Sequence, residues 1–125
     1  VHQEPARRTP VTALNDLAAE IHQTAKDKGW WEEDRNFGEM IALVHSELSE
    51  ALEAWREDQS PVWFRDTSKK PEGPAVELID GLIRILDLLE HMRESGSRCF
   101  SIEETLRAKM DYNKTRPHRH GGLKA

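Results

Sequence analysis

The 125 residues amount to 14.4 kDa, enough for one domain and hardly two. One third of them are charged, the net charge is −5, and that balance argues against a general nucleic-acid coat. No apolar run approaches the ~20 residues that span a bilayer. No signal-peptide pattern opens the sequence, and Cys99 is alone, which excludes an intramolecular disulfide and a cysteine metal cluster. The expected compartment is the cytoplasm. From Arg107 onward six basic residues stand against one acid, leaving 12 basic and 22 acidic residues before it. An acidic body with a basic tail suits a site that holds cations in one place and phosphate in another.

Residues 1–9 are polar and are expected to lack fixed structure. From Pro10, Val11, Leu14, Leu17, Ala18, Ile21 and Ala25 step by threes and fours, a helical period that Gly29 stops. Asn36 is a candidate N-cap for a second helix running to about Trp55. Residues 56–74 contain three prolines and no periodicity, and are expected to form a long loop. A third helix is expected from Pro74, whose missing N–H is harmless in a first turn, to about Ser95. Ser101 and Glu104 offer a capping box for a fourth, which reaches about Asn113. Pro117 and Gly121-Gly122 then release the chain. The expectation is an all-α fold, one four-helix bundle-like domain over 10–117 with flexible ends at 1–9 and 118–125.

At about 100° per residue, Glu47 falls inside the apolar arc of the second helix, flanked by Met40, Leu43, Val44, Ala51 and Ala54. A carboxylate aimed into a core costs several kcal/mol, in rough terms, unless paired or metal-bound. Glu50 lies at the arc's edge. On the third helix apolar residues fill most of the circumference, leaving a narrow strip of Glu77, Asp80, Arg84, Asp87 and His91. So much apolar surface predicts a homo-oligomer, dimer or tetramer, whose interface continues the core. Gly81 is expected at a close helix–helix contact.

Glu47/Glu50 and Glu77/Asp80 are therefore two E-x-x-acid pairs on helices joined by the long loop. At i and i+3 both carboxylates of a pair share a face. Two facing pairs make an all-oxygen cage suited to Mg²⁺, with Mn²⁺ as a substitute, which would orient a triphosphate and activate a water. A di-iron bundle would need Glu-x-x-His, and no histidine here has Glu three residues before it. The plainer alternative is solvated surface charge, with Asp80 and Arg84 paired at i,i+4 on a face turned to water.

At these residues the sequence resembles the MazG-like, all-α nucleoside triphosphate pyrophosphohydrolases, the superfamily that includes dCTP pyrophosphatase and dimeric dUTPase. GEMIALVHSELSEALEAWRE is similar to the family's first metal helix and KPEGPAVELIDGLIRILDLL to its second, with Ser46 standing at the first Glu of the family's E-E-x-x-E. LRAKMDYNKTRP resembles its K-M-x-x-N-x-x-R segment. The resemblance covers about residues 28–117. It implies hydrolysis of an NTP to NMP and pyrophosphate, with Glu47, Glu50, Glu77 and Asp80 as Mg²⁺ ligands and Lys109, Asn113 and Arg116 as phosphate ligands. It leaves the water's proton to Glu47 or Glu50. Lys and Arg suit phosphate on chemical grounds, although a basic, frayed helix end is the commoner fate of such residues.

Four tryptophans, Trp30, Trp31, Trp55 and Trp63, are candidates to stack on the base; for Trp55 core packing is the alternative, and Trp63 is equally a loop anchor. His118 and His120, two apart on a tail, make a poor metal pair. The rival readings are phosphoribosyl-ATP pyrophosphatase, from which the tryptophan-bearing loop departs, and a non-catalytic helical regulator that binds nucleotide or a protein. Neither a membrane nor a nucleic-acid polymer is an expected partner, since an acidic body repels the latter.

Overall fold

Among the described residues four helices form where the apolar periodicity places them. The computed structural model describes residues 10–96 and 99–118, with α1 at Pro10–Asp27, α2 at Phe37–Glu57, α3 at Pro74–Ser95 and α4 at Ile102–Thr115. The ends expected to be flexible lie outside the described residues, except for His118. Among the described residues there is no strand, only an isolated antiparallel bridge between Trp63 and Glu72. The chain is an all-α single small domain.

Helix ends follow local chemistry. Gly29, at φ 88°, lets the chain turn back so that the Trp30 N–H reaches the Ala25 carbonyl, as left-handed C-terminal glycines do. The Asn36 side chain accepts from the Glu39 N–H at 3.2 Å, and Ser101 Oγ from the Glu104 N–H at 3.1 Å. The proline-rich loop folds back on the start of α3, where the Ala75 N–H donates to the Pro61 carbonyl at 3.0 Å. Gly73, at φ 121°, makes that approach feasible, because a Cβ there would collide with the Pro61 carbonyl oxygen.

Helix α3 is central, packed against α2 on one side and α1 on the other, and α4 lies on α1. Ala18, Leu86 and Ile102 form the core with Leu14, Ile21, Leu89 and Phe100 against them. The start of α4 is fastened by Asn15, whose Oδ1 accepts from the Ile102 and Glu103 N–H groups and whose Nδ2 donates to Ser101 Oγ. Buried Glu90 is matched by Arg93, which also donates to the Phe100 carbonyl. Gly81 is buried against Glu47 and Leu48, and a Cβ there would meet each at 3.7 Å, an ordinary contact. The close approach expected at Gly81 is present, with room for one methyl group.

The polar strip of α3 does not face water. Arg84 reaches Glu47 on α2, Asp87 reaches His22 on α1, and His91 lies against Trp31. Leu78, Ile79, Leu82, Ile85 and Met92 are instead exposed, Leu78 at 54%, as are Leu48, Leu52 and Trp55 of α2. Within one chain α3 thus turns Arg84, Asp87 and His91 toward neighbouring elements and much of its apolar arc outward, and the hydrogen bond of Arg84 goes to Glu47 and not to Asp80.

Candidate metal centre

Glu47 comes from the middle of α2, where Met40, Val44 and Ala51 carry the helix against α3. Its side chain is only 12% exposed. Glu77 is in the first turn of α3, placed by the Gly73–Pro61 fold-back, and Asp80 follows one turn later. One carboxylate oxygen from each of Glu47, Glu77 and Asp80 lies within 4.8 Å of the other two. Glu50, one turn further along α2, is exposed and outside this triad.

Burial and neighbouring like charge both act on these carboxyls. Burial pushes the Glu77 carboxyl above its ordinary range, and Asp80, Glu50 and Glu47 push it further, against a smaller opposing pull from Lys70. Asp80 is raised by burial and by Glu47, opposed by Arg84 and Lys70. Glu77 Oε2 is buried with no hydrogen-bond partner, a cost that an ion or a water bound there would offset. The donors are all carboxylate oxygens, without His or Cys. They fit a hard divalent cation such as Mg²⁺ or Mn²⁺.

Two cavities flank the acids. One, of about 240 Å³, is lined by Glu47, Asp80, Arg84, Lys28 and Trp30. The other, of about 230 Å³, has Glu50, Glu53, Glu57 and Glu77 on one side and Trp63 and Glu72 on the other. Trp30 and Trp63 are therefore brought to the acidic site. Trp31 is engaged elsewhere, its indole N–H donating to Asp87 and its ring stacked on His91 at 4.1 Å. Trp55 is half-exposed on α2, so its alternative role in the core is not realised in the single chain.

Lys109, Asn113 and Arg116 are exposed on α4, which packs on α1 and not on the α2–α3 seam. One chain does not bring them to the acids. Two features escape a reading of the sequence. Arg84 donates to Glu47 Oε2 at 2.6 Å, although its i,i+4 relation to Asp80 pointed to a local pair. The second is a cluster around His22, which is 1% exposed, bonded to Asp87 at 2.6 Å and edge-on to Trp31 and His91. Its one signal was the i,i+4 relation of His22 to core residue Ala18. No family model, curated protein or solved structure matches the chain, so the likeness to the MazG-like enzymes rests on its three motif segments.

Proposed function

We propose that the chain is a Mg²⁺-dependent nucleoside triphosphate pyrophosphohydrolase that converts an NTP or dNTP to the monophosphate and pyrophosphate, in housecleaning of a cytoplasmic nucleotide pool. The observation that carries this reading is the convergence of Glu47, Glu77 and Asp80 across the α2–α3 seam, with a buried Glu77 oxygen left unpartnered. These three residues hold the ion, and Glu50 borders the same site. A bound Mg²⁺ supplies charge neutralisation and Lewis-acid polarisation of phosphoryl oxygens. Glu50, exposed and outside the triad, is the group free to accept a proton from the attacking water. Lys28 and Arg84 give the 240 Å³ cavity two cations for the leaving pyrophosphate, and Trp30, which lines the same cavity, offers a ring for the base once a guanidinium leaves its face.

The same reading includes a homodimer or homotetramer. The exposed apolar residues of α2 and α3 supply its interface, and a neighbouring copy can contribute Lys109, Asn113 and Arg116 that one chain keeps away from its own acids. That separation favours one competing reading, a nucleotide-binding regulator without turnover.

Anion-exchange analysis of products separates the two. With excess Mg²⁺ and a panel of NTPs and dNTPs, monophosphate and intact pyrophosphate are expected, with loss of both in Glu47→Gln and Asp80→Asn. Metal-dependent binding without turnover would establish the regulator, and neither binding nor turnover would overturn the site.

A further inference from the structure

Arg84 occupies the contested position of this molecule. It lies one turn beyond Asp80 on α3, and its Nε donates to Glu47 Oε2 at 2.6 Å, closing an ion pair between two largely buried side chains. Its guanidinium also lies 5.2 Å from the centre of the Trp30 ring. Arg35 uses the same ring at 4.7 Å, but Arg35 is tied down by the Trp30 carbonyl and faces Glu39. Of these two cations only Arg84 reaches an acid of the triad.

The pair presents a conflict. A divalent ion at Glu47, Glu77 and Asp80 would need the Glu47 carboxylate, one oxygen of which already holds a guanidinium. Two positive charges a few Å apart repel strongly in a partly buried site, unless an anion lies between them. Arg84 lines a cavity with Lys28, Glu47, Asp80 and Trp30, and a guanidinium fork matches a phosphate group better than it matches a single carboxylate oxygen. The Trp30 face gives the side chain a support along which to swing.

We propose that Arg84 is shared between two partners: it neutralises Glu47 while the acidic site is empty and transfers to the phosphates of a nucleotide that enters with the metal. This inference rests on the nucleotide-hydrolase reading above. It makes metal and nucleotide obligate helpers of one another, because each must displace or receive the same guanidinium. Such coupling is reciprocal. The alternative is that Arg84 stays on Glu47 and merely orients a ligating carboxylate, as groups behind metal ligands do. The two differ in sign: loss of an orienting donor weakens metal binding, whereas loss of a competing cation strengthens it.

The test is Mn²⁺ binding by electron paramagnetic resonance on the full chain, with and without the α,β-imido analogues of the four dNTPs, corrected for Mn²⁺ held by free analogue. Wild-type protein is expected to bind Mn²⁺ at least about fivefold more tightly when an analogue is present. Arg84→Met should bind Mn²⁺ alone about fivefold more tightly than wild type and show no gain from the analogue. Arg84→Lys retains the charge without the fork; it should keep the weak Mn²⁺ binding yet bind the analogue less tightly, and it carries the test if the Met variant does not fold. Weaker or unchanged Mn²⁺ binding in Arg84→Met, or coupling that survives the substitution, overturns the role of Arg84 alone. Wild-type protein that takes up no Mn²⁺ overturns the hydrolase reading, and the role of Arg84 falls with it.

Discussion

Two seams of α3 bury charge, and they do so in opposite ways. Against α1, Asp87 accepts from His22 Nδ1 at 2.6 Å and from the Trp31 indole N–H at 3.0 Å, so its carboxylate has donors from two directions. Against α2, Glu77 and Asp80 meet Glu47, another acid, and among the described residues the cation bonded to the triad is Arg84, on Glu47. A buried charge surrounded by its donors holds a fold together. A buried charge facing its own kind costs stability, and a fold retains it where something else pays that cost. The difference points to a structural role for the α1 seam and a ligand-holding role for the α2 seam.

The sharpest way to break the comparison is to delete one carboxylate from each seam. Asp87→Ala strands His22 and Trp31 and should destabilise the protein by about 3 kcal/mol in urea titrations. Glu77→Gln should act with the opposite sign, leaving metal-free protein slightly more stable while Mn²⁺ affinity falls by at least about tenfold, since a ligand is lost. Equal destabilisation by both would erase the distinction between the seams.

Gly81→Ala probes how closely the α2 seam is packed. The added methyl finds Glu47 Cβ and a Leu48 methyl at ordinary contact distance, so removing the helical glycine should stabilise the chain by up to about 1 kcal/mol. A loss in thermal denaturation would mean that the seam has no slack.

The smallest effect is in pH. Glu77 has its folded-state pKa raised above 4.5, so between the ordinary and the raised value the folded state holds a proton that the unfolded state has released. Glu77 therefore costs the fold nothing below that window, and stability is lost as pH rises through it. The stability advantage of Glu77→Gln over wild type should be near zero at acid pH and grow toward neutrality, and Mn²⁺ affinity of the wild type should rise over the same range. A constant gap would show that Glu77 is not crowded.

Much of the fold was legible because helix signals are local. Asn36, Ser101 and Gly29 act through bonds to residues within about a turn and Pro74 through its own ring, and each marks a real helix boundary. Glu47 was legible as an anomaly, a carboxylate among apolar neighbours at helical spacing. Arg84 and His22 were not, for the same physical reason. Their partners, Glu47 and Asp87, lie 37 and 65 residues away in sequence, and a periodicity shows which face a residue is on without showing what meets it. The inward polar strip of α3 was hidden likewise: an apolar arc is the usual inner face of a helix, and here acids take part of that place while much of the arc is exposed.

Asn15 ties the first helix to the last, through bonds that span 86 to 88 residues of chain. In kinetic terms these contacts close a loop that takes in most of the chain, and closure entropy delays such contacts until nearer ones have formed. The α2–α3 seam, bridged by a single loop, can assemble early and carry the acidic site with it. Docking of α4 is then expected to complete late in folding, after the acids of the α2–α3 seam have come together.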